Sequence, residues 1–63
     1  MTNRLKEVRE KKGLTVLQLS QKSGVSRQTI YNLEADPAAI VTSEVMEQLA
    51  KALGIKATKI FLF

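Results

Sequence analysis

The chain has 63 residues, enough for one small hydrophobic core, and it contains neither cysteine nor histidine. Those absences exclude disulfide frameworks, zinc fingers and catalysis by a thiol or an imidazole. The longest apolar runs have four residues, far fewer than the ~18 that a membrane-spanning helix needs. We therefore expect a cytoplasmic protein without membrane contact, metal, cofactor or evident small-molecule substrate.

The positive charge is concentrated in the first half of the chain. Residues 1–31 contain seven Lys and Arg against two Glu, a net charge of +5, whereas residues 32–63 have a net charge of −1. A basic surface on a compact domain suits phosphate binding. The same charge is also typical of an ordinary solvated surface, so charge alone leaves both interpretations open.

The first two of five predicted helices are bounded by glycine and by a capping motif. The first is expected over residues 2–12, with Gly13 ending it in a left-handed conformation. Thr15-Val16-Leu17-Gln18 is a capping box, in which the threonine hydroxyl caps the helix start and the glutamine reaches back. The second helix should end at Gly24.

The remaining predicted helices follow the same logic. Ser26 should cap a third helix that ends near Glu34, before Asp36-Pro37 breaks helical continuity. Thr42 should cap a fourth, and residues 55–63 hold a last short turn or helix. The inward face of the fourth helix is formed by Val45, Met46, Leu49 and Leu53. No repeat or linker is evident, so residues 1–63 are expected to form a single domain.

Residues 15–34 together meet the requirements of a helix-turn-helix. Two short helices joined by a glycine-containing turn must cross steeply, and the second then projects from the body of the domain. The motif needs an apolar anchor, a small residue at the crossing, a turn glycine, an apolar plug and two inward residues on the second helix. The chain supplies Leu19, Ser20, Gly24, Val25, Ile30 and Leu33.

The third helix should show a polar face to solvent. Ile30 and Leu33 define its buried side, because they lie close together on a helical wheel. Opposite them fall Arg27, Gln28, Tyr31 and Asn32, with Thr29 at one flank. Gln and Asn can make paired hydrogen bonds to adenine, and Arg can make them to guanine. An ordinary solvated polar face is the alternative interpretation.

The motif resembles the phage Cro and repressor type of helix-turn-helix, often called XRE-like. The similar residues are Gly13–Thr15, Leu19, Gly24–Ile30, Leu33-Glu34 and Leu49–Ile55. The resemblance covers nearly the whole chain, and residues 37–42 match least. It implies an all-α, lambda-repressor-like fold, a compact bundle of five helices that binds double-stranded DNA, usually as a homodimer at a palindromic operator.

The resemblance also implies roles for individual residues. Arg27, Gln28 and Asn32 match base-reading positions, and flanking or backbone contacts match Thr15, Ser26, Thr29 and Tyr31. Arg9 and Glu34 match a structural salt bridge between the first and third helices; two separate surface charges are the alternative.

Two parts of the chain depart from the family pattern. Val16 stands where relatives often have a phosphate-binding glutamine, and residues 35–39 lack the usual cations. Leu17 stands where a polar residue is common, although single exposed leucines are ordinary. At the other end, Leu62 and Phe63 exceed what so small a core is expected to bury. The interpretations that stay open are a dimer surface, a frayed terminus and additional core.

The leading hypothesis is a sequence-specific transcriptional regulator, a repressor of phage or bacterial type that associates with the nucleoid. The competing hypothesis is a protein-interaction module such as an antirepressor or antitoxin, because Val16, Leu17 and the loop 38–41 replace phosphate contacts with apolar surface. An enzyme is not expected, since neither a nucleophile–base pair nor a glycine-rich phosphate loop is present.

Overall fold

The computed structural model describes residues 2–62, and in that range it contains five helices and two short strands. In chain order these are β1 (Thr2–Asn3), α1 (Leu5–Lys11), α2 (Val16–Ser23), α3 (Arg27–Ala35), α4 (Ser43–Leu53), α5 (Ala57–Ile60) and β2 (Phe61–Leu62). The predicted five-helix fold is confirmed, with a small two-stranded sheet added. Within the same range no helix is long and apolar enough to cross a bilayer.

Local hydrogen bonds explain where the three central helices begin. The hydroxyls of Thr15, Ser26 and Thr42 accept from the backbone N–H three residues later, at the starts of α2, α3 and α4. Each bond satisfies a helix N–H that lacks an intrahelical partner. Gly24 ends α2 with φ near +78°, a left-handed conformation that glycine adopts without steric cost.

The helices enclose one apolar core, to which each of them contributes. Among the described residues, the largest side chains that are almost completely buried are Leu5, Leu19, Ile30, Leu49, Ile60 and Phe61. Helix α4 packs against α2 and α5, while α3 packs against α1 and α2. Because α3 is supported from two sides, the position of its outer face is fixed by the core beneath it.

The N-terminus differs from the prediction, because Thr2 and Asn3 form a strand rather than the first turn of a helix. They pair antiparallel with Leu62 and Phe61. The Asn3 side chain is buried: its Oδ1 accepts from the N–H of Leu5, and its Nδ2 donates to the carbonyls of Leu33 and Pro37. A side chain that supplies three such bonds competes with helix formation.

Candidate nucleic-acid interface

The turn between α2 and α3 is held by side chains from its own neighbourhood. Ser20 Oγ donates to the carbonyl of Val25 at 2.6 Å, and Ser23 Oγ accepts from the N–H of Val25 at 3.1 Å. The Val25 side chain is buried in the core. The small residue expected at the helix crossing therefore also bonds the turn, and this fixes where α3 begins.

Helix α3 is divided into a buried and an exposed side, as its periodicity predicts. Ile30 is 0% exposed and Leu33 is 2% exposed. Arg27, Gln28, Tyr31 and Asn32 are exposed, and Thr29 is half-buried at the flank. The side chains that could read base edges thus lie on the outer surface, where no part of the chain's own core covers them.

The first turn of α3 is stabilised by two hydroxyls. Ser26 Oγ accepts from the N–H of Thr29 at 3.2 Å, and the two hydroxyl oxygens are 2.8 Å apart. Both residues are predicted to make flanking contacts with DNA, and both already form hydrogen bonds at the start of α3. In this pair one hydroxyl donates to the other, so one hydroxyl hydrogen would remain to donate to a phosphate oxygen of a DNA backbone.

Two of the candidate base-reading residues contact each other. Gln28 Nε2 donates to Asn32 Oδ1 at 2.9 Å, one helical turn further along the outer face. Side chains four residues apart are neighbours on a helix surface. The spacing is visible in the sequence, but the direction of the bond comes from the structure alone.

Arg9 and Glu34 form an ion pair between α1 and α3. Arg9 Nε lies 2.7 Å from Glu34 Oε2, and the side chains are only 13% and 9% exposed. The guanidinium also donates to the other oxygen of Glu34 and to the carbonyl of Leu14. The hydrogen bond to Glu34 raises the pKa of Arg9 against the opposing effect of desolvation. Arg9 is therefore committed to the fold rather than to phosphate.

The start of α2 carries the predicted capping box. The N–H of Gln18 donates to Thr15 Oγ1 at 3.1 Å, and Gln18 Oε1 accepts from the N–H of Thr15 at 2.9 Å. Thr15 itself is exposed. Treating Val16 as apolar surface was wrong, because its side chain is only 8% exposed and belongs to the core. Leu17 is 48% exposed and stays available for contact.

Apolar exposure is concentrated in the loop before α4. Ile40 is 94% exposed, more than any other large hydrophobic residue in the described range. It borders a groove of about 360 Å³ whose lining includes Leu33, Val41 and Val45. The sequence predicted apolar surface in the loop 38–41 without singling out Ile40. Leu62 is 37% exposed, and Phe63 lies outside the described residues.

Most Lys and Arg side chains of the N-terminal half are exposed. Within residues 2–31, six are exposed: Arg4, Lys6, Lys11, Lys12, Lys22 and Arg27. No group of three or more acidic side chains in the described part of the chain is placed to hold a metal ion. The exposed surface therefore offers hydrogen-bond donors and positive charge. These suit a ligand that combines anionic groups with polar groups able to form hydrogen bonds.

Comparison with known proteins agrees with this geometry. A helix-turn-helix family model matches residues 5–60, from the start of α1 to the end of α5. No curated protein matches the chain. The family match includes the turn, the capped third helix and the packing helices behind it. The chain therefore belongs to the XRE-type helix-turn-helix family of DNA-binding regulators.

Proposed function

We propose that this protein is a sequence-specific repressor that inserts the exposed face of α3 into the major groove of an operator. One observation carries the proposal: Arg27, Gln28 and Asn32 are exposed on the side of α3 opposite the buried Ile30 and Leu33. Occupation of an operator that overlaps a promoter is enough to block transcription, so repression requires no separate activating surface.

The side chains divide by the part of DNA that suits them. Arg27 pairs with guanine, while Gln28 and Asn32 contact base edges through their amides. We assign backbone or flanking contacts to Thr15, Ser26, Thr29 and Tyr31. Such contacts fix the register of a protein on the duplex and carry no sequence information directly.

The size of α3 supports a homodimer on a palindromic operator. Nine residues span only about 13 Å at 1.5 Å per residue, so one copy reads a short half-site. Two copies related by a two-fold axis read two half-sites one helical turn apart, which multiplies selectivity.

Selection of bound duplexes from a random pool tests this proposal. We expect two inverted half-sites whose centres are separated by about 10 base pairs, the rise of one turn. Placing the selected site over a promoter should lower reporter expression when the chain is present. Enrichment of no sequence, or of a single unrepeated half-site, would contradict the proposed mode of binding.

Gln28→Ala is the sharpest single substitution for the base-reading role. Loss of a paired hydrogen bond should weaken binding to the selected site by about 1–3 kcal/mol and relax preference at one base pair. Gln48→Ala is the matched control, since Gln48 is an exposed glutamine on α4. Equal affinity and preference in both variants would remove Gln28 from the interface.

A protein-interaction module, such as an antirepressor or antitoxin, is the second candidate, and Ile40 favours it. An isoleucine that is 94% exposed beside an apolar groove suits a protein contact better than a phosphate. Ile40→Asp should abolish binding to a protein partner but leave duplex selection unchanged. Salt-sensitive, selective binding to duplex DNA that does not depend on Ile40 would argue against this candidate.

A further inference from the structure

Gln28 and Asn32 form an interacting pair on the outer face of α3. The amide nitrogen of Gln28 donates to Asn32 Oδ1 at 2.9 Å, and both side chains are exposed. A side chain at such a position is usually free to sample several rotamers. The bond to Asn32 instead favours one orientation of the Gln28 amide before any ligand binds.

The chemistry of the amide decides what this bond leaves free. A glutamine amide has one carbonyl oxygen and two N–H hydrogens. The bond to Asn32 can use the hydrogen that points away from Oε1, and the other hydrogen and Oε1 then remain as an adjacent donor and acceptor. Adenine presents the complementary pair in the major groove, its N7 acceptor beside its N6 donor.

We propose that Asn32 is a positioning residue that holds the Gln28 amide in the orientation that reads adenine. This inference rests on the proposed function, because it concerns selectivity within DNA binding. Asn32 acts through Gln28 at that base pair, and its own free Nδ2 hydrogens point to a second contact. Two donors suit an acceptor edge, guanine O6 and N7 or thymine O4.

Positioning affects discrimination because the ordering cost falls on one complex only. Immobilising a long side chain at an interface costs about two- to tenfold in affinity. Without Asn32, Gln28 would incur more of that loss when it pairs with adenine, but not when a mismatched base leaves it unengaged. The ratio of the two affinities therefore falls, even though Asn32 does not touch that base pair.

The test measures this ratio at the base pair where Gln28→Ala loses discrimination. We expect a preference for adenine there in the unmodified chain. Asn32→Ala should reduce that preference about 1.5- to twofold, the strength of a surface pair of this kind on a helix. Asn32→Asp should restore the preference, because a carboxylate oxygen still accepts from Gln28. Asn32→Asp also weakens binding and changes preference at the neighbouring base pair, so the ratio is measured with that neighbouring base pair held constant.

A double-substituted variant shows whether the two residues act together. In a Gln28→Ala background, Asn32→Ala should cause no further loss at that base pair, although it can change preference at the neighbouring one. An unchanged ratio for Asn32→Ala, additive losses in the double variant, or failure of Asn32→Asp to restore the ratio would each overturn the inference.

Nuclear magnetic resonance of the free chain separates this inference from the proposed function. One Gln28 side-chain N–H resonance should shift and exchange faster with solvent in Asn32→Ala, and the Gln48 side chain should not change. If the free chain shows this bond but selects no duplex, the proposed function fails and the inference fails with it. If a duplex is selected but Asn32→Ala leaves both readouts unchanged, only the inference fails.

Discussion

The helix-turn-helix unit, residues 15–35, and the terminal sheet of β1 and β2 are stabilised over different distances along the chain. In the unit, the hydrogen bonds of Thr15, Ser20 and Ser26 join residues three to five positions apart. In the terminal sheet, Thr2 pairs with Leu62, and Asn3 bonds to Leu33 and Pro37 across 30 and 34 residues.

The difference teaches which part of the molecule carries recognition and which part closes the fold. Bonds between near neighbours shape the turn and the start of α3, and the core beneath α3 fixes the position of its outer face. The terminal sheet, by contrast, places Phe61 in the core and pairs residues that are far apart in the chain. Substitutions in the two regions should therefore affect stability and DNA selectivity in different proportions.

Ile30→Ala should have the largest effect, because it removes a side chain that is 0% exposed from the buried side of α3. We expect a loss of about 2–5 kcal/mol in the free energy of unfolding, measured by urea denaturation. Ile40→Ala is the matched control, since Ile40 is 94% exposed and should change stability by less than about 0.5 kcal/mol. Equal losses would contradict the assignment of the two faces.

Arg9→Met should rank second, because Arg9 joins α1 to the end of the unit. The substitution keeps the apolar stem but leaves the Glu34 carboxylate, 9% exposed, without its partner. We expect a loss of about 2 kcal/mol that varies little with salt. Lys11→Met removes an exposed pair with Glu7 and should cost at most about 0.5 kcal/mol, an effect that salt abolishes.

Asn3→Ala probes the terminal sheet and should destabilise the chain by about 1.5 kcal/mol, since it leaves buried backbone groups without hydrogen-bond partners. Asn3 bonds the Leu33 carbonyl on α3, but every hydrogen bond between residues of the unit itself is retained. DNA selectivity, measured as the affinity ratio between selected and unrelated duplexes, should therefore stay unchanged. Thr2→Ala, at an exposed neighbouring position, is the control for stability. A change of selectivity in Asn3→Ala would show that the two regions are not separable.

Thr15→Ala should have the smallest effect, about 1 kcal/mol, because it removes one helix cap from the unit. Thr15→Ser keeps the hydroxyl and should retain most of that stability. Both variants are measured by urea denaturation. If serine and alanine destabilised the chain equally, the capping box would not be the source of the effect.

The sequence by itself predicted the helix-turn-helix unit closely. Thr15 and Ser26 mark the starts of α2 and α3, and Gly24 marks the end of α2. Ile30 and Leu33 identify the buried side of α3. These features could be predicted because capping, glycine turns and helical periodicity depend only on residues within a few positions.

Only the tertiary structure decided the features that depend on distant partners. Thr2 and Asn3 became a strand because β2 and the Pro37 carbonyl offered them hydrogen bonds. Val16 is buried in the core and Ile40 is exposed, although both are β-branched and apolar. Local sequence does not specify which apolar side chain is buried, because burial depends on which distant residues pack against it.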